Sequence, residues 1–305
     1  MARKMADKRK VWLNGELIPW GQATVPLLSH GFSRGSAMFE AFSIHQGPDG
    51  PVAFRMDEHL KRLEGSADLL GMEMRYTTDE IAAAVAQVVG ANRVGRGIAK
   101  IMAYWSAEAV IQLVLESKLD VAVFAIPDTG DLRLGDASPV SACLSGWRKL
   151  HPETVPVAAK ACANYLNAYL ARKEAQDRGY DVGLMLGTDG FLAEGSIESL
   201  FLVKGGVLKT PPLGRILSGI SRLSVLEVAR SIGIPVEETA LRADALVTAD
   251  EIFVSHAGIK VRPVNRFEGR VLEAPGPVTG KLLNLMTDIL DFRNRQFSHF
   301  FQPLA

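Results

Sequence analysis

The chain has 305 residues, enough for two domains of ordinary size, and 48% of them are hydrophobic. Basic and acidic residues number 34 each, which argues against a nucleic-acid-binding protein with a large basic surface. The longest apolar run, residues 119–126, is only strand-sized and is interrupted by Asp120, so we expect no membrane span. Cys143 and Cys162 form neither a disulfide framework nor a metal motif, which favours a cytoplasmic location and no metal site.

The first part of the chain mixes strands and helices. Asn14-Gly15 between two short apolar runs predicts a tight hairpin. An apolar stripe ended by Gly71 predicts a helix over 56–70, and a second helix is predicted over 78–89. Strands are predicted at 37–44, 97–105, 111–115 and 121–126.

Residues 127–139 are rich in Gly, Pro and Asp and have no hydrophobic period. This composition predicts a linker, with an N-terminal α/β domain over 1–126 and a C-terminal domain over 140–305. Helices and hairpins are mixed in both parts, so the predicted fold class is α+β rather than a doubly wound parallel sheet. Beyond the linker, helices are predicted at 164–178, 221–232 and 281–293, and strands at 140–146, 182–186, 200–204, 207–210, 251–255 and 260–264.

Lys160 lies in the run Val-Pro-Val-Ala-Ala-Lys-Ala-Cys, whose other members are all small or apolar. Burial disfavours the ammonium and lowers the pKa of a lysine, and the free amine is the form that attacks a carbonyl. The run equally fits a lysine at a strand end whose ammonium reaches solvent. Taken alone, the run favours this second interpretation.

Three further features each have two interpretations. Residues 218–221, Ser-Gly-Ile-Ser, open a predicted helix and fit either a phosphate site or an ordinary serine cap. Glu194 follows a hairpin strand and fits either a turn or a carboxylate that pairs with a cationic heterocycle. Arg62, on the helix 56–70, fits either a solvated face or a phosphate contact.

In combination, these residues resemble the class IV aminotransferases, nearest the branched-chain amino-acid aminotransferases. Several independent runs at the spacing of the family are more specific than any single motif. The resemblance covers most of the chain and is strongest after residue 147. The matching runs are residues 156–161, 164–166, 193–196, 219–222, 249–255 and 276–279.

The resemblance implies the D-amino-acid aminotransferase-like fold, with pyridoxal phosphate between two α/β domains, and an assembly that is at least a homodimer. It implies that Lys160 holds pyridoxal phosphate as a Schiff base and moves the substrate proton. Glu194 would face the pyridine nitrogen, and Tyr165 would bind the phenolic oxygen. The phosphate would be held by Arg62, Ile220 and Ser221, which makes the C-terminal domain the main cofactor-binding domain.

The implied reaction transfers an amino group between a branched-chain L-amino acid and 2-oxoglutarate. The part of the sequence that would bind these substrates departs from the family. The loop that helps to bind the substrate carboxylate reads Ser-His-Ala-Gly at 255–258 instead of Ser-Gly-Thr-Ala. Lys100 stands where the family has the arginine that meets the distal carboxylate of glutamate. Four further positions differ: a tyrosine is replaced by Arg34, a glycine by Ala41, an arginine by Ser43 and a tryptophan by Asp128. The candidate substrate residues are Arg34, Phe39, Lys100 and Ala257.

Three functional hypotheses follow. The first is the branched-chain-type enzyme, whose partners are a small amino acid and a 2-oxo acid, with no nucleic acid and no membrane. The second is another class IV enzyme, either a D-amino-acid or amine transaminase or a lyase of the aminodeoxychorismate type. Ala41 stands where the lyase needs a threonine hydroxyl, and Lys100 and Met102 replace the Arg-x-His pair of the D-amino-acid enzymes. The third is a non-enzymatic protein that kept the fold, which would not need all four of Lys160, Tyr165, Glu194 and Arg62.

Overall fold

The computed structural model describes residues 8–304, which form two compact units. Unit 1 comprises the described residues up to Leu134, together with Ala159–Ala163 and the residues from Phe297 onward. Unit 2 comprises Gly135–Ala158 and Asn164–Gln296. No helix within residues 8–304 has the length and apolar character that a membrane crossing needs.

Strands outnumber helices in the described part of the chain. In chain order, the strands are β1 (Lys10–Leu13), β2 (Glu16–Pro19), β3 (Ala37–Gly47), β4 (Gly50–Phe54), β5 (Gly97–Tyr104), β6 (Asp120–Pro127), β7 (Val140–Arg148), β8 (Val182–Leu186), β9 (Leu192–Gly195), β10 (Ser199–Lys204), β11 (Val207–Thr210), β12 (Val236–Glu238), β13 (Glu251–His256), β14 (Ile259–Phe267), β15 (Arg270–Val271) and β16 (Phe301–Pro303). The α-helices are α1 (His30–Arg34), α2 (Met56–Leu70), α3 (Thr78–Asn92), α4 (Tyr165–Asp177), α5 (Ile220–Ser231), α6 (Asp244–Thr248) and α7 (Pro277–Leu290).

Unit 1 is built on an antiparallel sheet whose described strands follow the order β16-β4-β3-β5-β6-β1-β2. Helix α2 packs on β3 and helix α3 on β6, and their apolar stripes close a core that includes Phe42, Leu63 and Ile101. Helix α3 begins with a capping box, in which the Thr77 hydroxyl accepts from the Glu80 N–H at 3.3 Å and the Glu80 carboxylate accepts from the Thr77 N–H at 2.8 Å.

Unit 2 contains a mixed sheet whose described strands follow the order β12-β11-β10-β13-β14-β7-β8-β9, with β15 paired to β14. The pairs β7–β8, β7–β14 and β11–β12 are parallel, and the others are antiparallel. Helix α4 packs on β7 and β8, and helices α5 and α7 pack on β13 and β14. The mixture of hairpins, parallel pairs and helices confirms the predicted α+β class.

The hairpin at Asn14-Gly15 and the helix at 56–70 are both present as predicted, but the strand predicted at 111–115 is wrong. The segment 109–118 contains no strand, and Ile111, Leu113 and Val114 are 87%, 71% and 76% exposed. Strand β5 already pairs with β3 on one edge and β6 on the other, so an apolar segment between β5 and β6 has no place in the sheet. The last helix begins at Pro277, a turn before the predicted start, because proline is well suited to the first helical position.

The observed division of the chain differs from the predicted domains in two places. Ala159–Ala163 belongs to unit 1, because Ala161 forms a β-bridge with Met38 and the Phe39 N–H donates to the Lys160 carbonyl at 3.2 Å. The residues from Phe297 onward also belong to unit 1, because β16 pairs with β4. The first change from unit 1 to unit 2 along the chain, at Leu134 and Gly135, falls within the predicted linker at 127–139.

Gly183 in β8 lies where helix α4 leaves no room for a side chain. A Cβ at this position would be 2.4 Å from the carbonyl oxygen of Ala171. We expect Gly183→Ala to lower the free energy of unfolding by about 1–3 kcal/mol, because a backbone atom must shift. Urea denaturation measures the change, with Gly65→Ala as the control, since Gly65 has open space around it on α2. Equal stability of the two variants would contradict the close approach of α4.

Candidate functional site

Lys160, the proposed cofactor lysine, is held in unit 1 by its own backbone. Its N–H donates to the Ser66 hydroxyl on α2 at 3.1 Å, and its carbonyl accepts from the Phe39 N–H on β3 at 3.2 Å. The neighbouring Ala159 and Ala161 are both buried. The Lys160 Nζ lies 4.7 Å from the centroid of the Phe39 ring. The amine is therefore presented over an aromatic face by a backbone that is fixed at both ends.

Phe39 brings a second predicted site lysine close to the first. The Lys100 Nζ lies 5.1 Å from the centroid of the same ring. Lys100 stands on β5 directly opposite Ala41 on β3. Unit 1 thus gathers Phe39, Lys100 and Lys160, three residues that the sequence separates by up to 121 positions, around one aromatic ring.

Arg62 is held in a buried ion-pair network. Its Nε and Nη2 donate to the two carboxylate oxygens of Glu40 at 2.7 and 2.8 Å, and the Glu40 Oε2 also accepts from the His59 Nδ1 at 2.6 Å. A carboxylate only accepts, so His59 carries a proton on Nδ1. Burial raises the pKa of Glu40, but the charges of Arg62 and His59 outweigh it and lower the pKa to about 2. The network fixes the plane of the Arg62 guanidinium.

Arg34 ends the short helix α1, and its Nη2 donates to the carbonyl of Val110 at 2.8 Å. The N–H of Ala109 likewise donates to the Leu28 carbonyl at 3.1 Å. These contacts tie the segment after β5 to helix α1 and the residues before it. In unit 1, Arg34 therefore acts as an anchor for this exposed apolar segment.

Glu194 lies on β9 in unit 2 and forms an ion pair that the sequence interpretation missed. The Lys149 Nζ is 2.5 Å from the Glu194 Oε1, and the two side chains are only 11% and 9% exposed. Lys149 follows β7, and its backbone N–H donates to the Leu186 carbonyl at 2.8 Å. Nothing in the sequence signals this pair, because its members are 45 residues apart.

The N-terminus of helix α5 has features that suit an anion. Gly219 is its N-cap and supplies no side chain to the first N–H groups, while Ile220 and Ser221 are buried. A Cβ on Gly219 would lie 2.6 Å from the Ser199 hydroxyl, so a side chain at this position would require that hydroxyl to move. The Arg222 Nη2 donates to the Pro211 carbonyl and to Glu238, at 2.9 and 2.7 Å. The helix start therefore offers backbone donors and the positive end of its dipole.

Tyr165 and Ala257 complete the predicted set in unit 2. Tyr165 is the first residue of α4 and lines a cavity together with His256. Ala257 occupies the turn between β13 and β14, where its carbonyl accepts a hydrogen bond from the Nζ of Lys260, whose pKa is lowered by burial to about 7. Within residues 8–304, no cluster of three or more His, Cys, Asp or Glu side chains is arranged to hold a metal ion.

Comparison with known proteins gives concordant results. Residues 37–267 match the family described as Amino-transferase class IV. The branched-chain-amino-acid aminotransferase of Escherichia coli (strain K12) is 33% identical over 287 residues, which cover 92% of each chain. The crystal structure of the branched-chain aminotransferase from Thermoproteus uzoniensis with norvaline has a TM-score of 0.93 at 34% identity, covering 97% of this chain and 99% of that one.

A second solved structure concerns the cofactor. The branched-chain amino acid aminotransferase from Thermobaculum terrenum, solved in its PLP-form (holo-form), has a TM-score of 0.90 at 28% identity, covering 98% of this chain and 99% of that one. The family match spans Lys160, Tyr165 and Glu194, and the similarity extends over nearly the whole chain. The chain therefore belongs to the class IV aminotransferases, in the branched-chain aminotransferase family, and is a transaminase.

Proposed function

We propose that the chain transfers an amino group between a branched-chain L-amino acid and 2-oxoglutarate, using pyridoxal phosphate attached to Lys160. The observation that carries the proposal is the fixed backbone of Lys160, which presents an amine over the Phe39 ring in a class IV aminotransferase. When bound, the cofactor supplies an electron sink for the carbanion formed at the substrate Cα.

Each residue that the resemblance assigns to the cofactor supplies a donor or an acceptor suited to one of its groups. Lys160 provides the amine for its aldehyde, and Glu194, already paired with Lys149, provides an acceptor for its pyridine nitrogen. Tyr165 provides a phenol for its phenolic oxygen. The start of α5, at Ile220 and Ser221, and the Arg62 guanidinium held by Glu40 provide donors for its phosphate.

The proposed work of Lys160 is proton transfer. Once the substrate amine has displaced Lys160 from the cofactor, the released Lys160 amine would take the proton from the substrate Cα and return it to C4′, acting first as general base and then as general acid. The backbone contacts to Ser66 and Phe39 do not involve Nζ, so the amine is able to move while the backbone stays fixed. The Phe39 ring covers the amine on one side and limits access of water there.

Substrate recognition is proposed from the resemblance and from charge. Lys100 beside Phe39 provides a cation for a substrate carboxylate, and the turn containing Ala257 provides backbone groups for another. Arg34 contributes through the segment that it anchors at Val110. The branched-chain preference rests on the relatives, which are named branched-chain-amino-acid aminotransferases, whereas this sequence departs from the family pattern at Arg34 and Lys100. The alternative is another class IV reaction, on a D-amino acid or a simple amine, or a lyase reaction of the aminodeoxychorismate type.

A two-substrate screen tests the proposal. Purified protein loaded with pyridoxal phosphate is offered L-leucine, L-isoleucine, L-valine, both alanine enantiomers and a simple chiral amine, each with 2-oxoglutarate or pyruvate. The expected result is turnover of the branched L-amino acids with 2-oxoglutarate. Turnover restricted to D-alanine or to the amine would replace the proposed substrates by those of the alternative.

We propose that the chain works in the cytoplasm, where its two free cysteines remain reduced, and as a homodimer or a higher homo-oligomer. The support for assembly is a group of exposed apolar side chains on unit 1, of the kind that marks a protein–protein interface. Its members come from α1, the residues before it and the segment after β5, which Arg34 and Ala109 tie together. The exposed side chains are Leu27, Leu28, Phe32, Val110, Ile111, Leu113 and Val114.

The assembly prediction can be tested by placing a charge in this group. We expect Ile111→Glu to shift the protein from dimer to monomer in sedimentation, because a buried unpaired carboxylate opposes association. Val271→Glu, at a similarly exposed apolar residue of unit 2, is the control and should leave the mass unchanged. A wild-type protein that sediments as a monomer would contradict the proposal.

A further inference from the structure

Ser66 is a buried hydroxyl in helix α2 to which the proposed chemistry assigns no role. The residue is 1% exposed and lies on the buried face of the helix, as do the apolar residues Leu63 and Ala67. A hydroxyl in such a place needs hydrogen-bond partners, because a buried polar group without them costs free energy. The partners of Ser66 are backbone groups of Arg62 and Lys160.

The Ser66 hydroxyl bridges the two residues that the proposed function places at the phosphate and at the aldehyde of the cofactor. It donates to the Arg62 carbonyl at 2.7 Å and accepts from the Lys160 N–H at 3.1 Å. A serine hydroxyl has one proton and two lone pairs, so it forms both hydrogen bonds at once, whereas alanine forms neither. The bridge thus ties helix α2 to a residue 94 positions away in the chain.

A second route joins the same two residues through strand β3. The Phe39 N–H donates to the Lys160 carbonyl at 3.2 Å. The next residue of the strand, Glu40, accepts from the Arg62 guanidinium through both carboxylate oxygens, at 2.7 and 2.8 Å. Together with the Ser66 bridge, these contacts form a closed circuit within unit 1. The Ser66 hydroxyl is the link of this circuit that reaches the N–H side of Lys160.

The backbone of Lys160 depends on such contacts because the chain around it has little regular structure. Between the end of β7 at Arg148 and the start of α4 at Tyr165, a stretch that the structure describes throughout, the one regular element is the short 3-10 turn Cys162–Asn164. Pyridoxal phosphate is a rigid ring whose phosphate and aldehyde carbon stand at fixed positions. The residues that bind these two groups must therefore keep a matching spacing, since small misplacements of reacting groups cost rate.

We propose that Ser66 is a positioning residue that sets the place of Lys160 relative to Arg62, so that the lysine amine meets the reacting atoms of cofactor and substrate. The inference rests on the proposed function, because it takes Lys160 as the proton carrier and Arg62 as a phosphate contact. Ser66 acts through the Lys160 backbone and needs no contact of its own with cofactor or substrate. Without its hydroxyl, the Lys160 N–H loses this acceptor and the segment is free to shift.

The experiment compares Ser66→Ala, which removes the hydroxyl, with Ser66→Thr, which keeps it, both as holoenzymes. We expect Ser66→Ala to lower kcat about tenfold, the equivalent of the ~1.4 kcal/mol of one hydrogen bond, while KM changes less than about twofold. Proton transfer depends on the place of the amine, whereas substrate binding does not. Ser66→Thr should keep kcat within about threefold of the wild type, because the bridge is retained.

The matched control is Thr287→Val on α7. The Thr287 hydroxyl donates to the Leu283 carbonyl at 2.8 Å, one turn earlier in its helix, as the Ser66 hydroxyl does to Arg62. The Thr287 residue is exposed, so removal of this hydroxyl should leave kcat and KM unchanged.

A spectroscopic measurement separates positioning from a general loss of stability. The visible absorbance of the bound cofactor changes with pH, and its midpoint reports the pKa of the linked Lys160 nitrogen, which depends on the charges around that nitrogen. We expect the midpoint to move by about half a pH unit or more in Ser66→Ala. It should stay at the wild-type value in Ser66→Thr and in Thr287→Val.

The outcomes distinguish this inference from the proposed function. A wild type that carries no cofactor on Lys160 would refute the proposed function. A wild type that carries it, with the same kcat and midpoint in Ser66→Ala, would refute the positioning role alone, as would an equal loss in Ser66→Ala and Ser66→Thr. If Ser66→Ala does not fold, hydrogen exchange in the wild-type holoenzyme decides. Protection of the Lys160 amide supports the bridge, and exchange at the rate of an exposed amide contradicts it.

Discussion

Replacing Lys160 by alanine is expected to reduce transamination by about three orders of magnitude or more, because the proposed proton carrier and the covalent attachment point disappear together. The fold should survive the change. The contacts of Lys160 to Ser66 and Phe39 run through its backbone, which alanine keeps. The measurement is the rate of 2-oxoglutarate-dependent turnover, with the free energy of unfolding determined in parallel.

Lys173→Ala is the control for this prediction. Lys173 is an exposed lysine of α4 that pairs with Asp177 one turn later, so its loss should affect neither activity nor cofactor content. If Lys160→Ala retained activity close to that of the control, another residue would have to carry the proton. The proposed assignment would then be wrong even if the reaction itself were confirmed.

The second large effect is expected on stability. Glu40→Gln should lower the free energy of unfolding by about 3–5 kcal/mol at pH 7, because it removes the charge that compensates the Arg62 guanidinium in a buried network. Urea denaturation measures the loss. Glu64→Gln, at an exposed position of α2, is the control and should change stability by no more than about 0.5 kcal/mol.

The same carboxylate predicts how stability depends on pH. The pKa of Glu40 is lowered from 4.5 to about 2, so its folded form binds a proton less readily than its unfolded form. Its contribution, about 3 kcal/mol for a depression of this size, is complete above pH 4.5 and is lost as the pH falls toward 2. The stability difference between wild type and Glu40→Gln should therefore shrink over that range. A constant difference would show that charge is not its source.

Local patterns predicted the elements that local interactions determine. Asn14 has a positive φ in the hairpin turn, and Gly71 has one at the end of α2, which are conformations that these residue types favour. The strand proposed at 111–115 failed because apolar character signals burial, whereas this segment is exposed on unit 1. Strand β16 could not be found, because its partner β4 lies some 250 residues earlier in the chain.

The candidate site shows the same division. Lys160, Tyr165 and Glu194 were proposed through a family resemblance, because each residue alone fits an ordinary structural role as well as a functional one. The ion-pair partners of Glu194 and Arg62 were not predicted. Lys149 and Glu40 meet these two residues only because distant segments of the chain come together in the fold. The packing of α4 beside His256 was likewise not predicted, because nothing local in the sequence indicates that these distant segments line one cavity.

The most direct test of the account is to reduce the holoenzyme with borohydride and map the modified peptide by mass spectrometry. Reduction converts the link between a lysine amine and pyridoxal phosphate into a stable secondary amine. The account predicts one phosphopyridoxyl group per chain, on Lys160, and none in Lys160→Ala. Modification of a different lysine, or a protein that binds no pyridoxal phosphate, would contradict the central claim that Lys160 carries the cofactor.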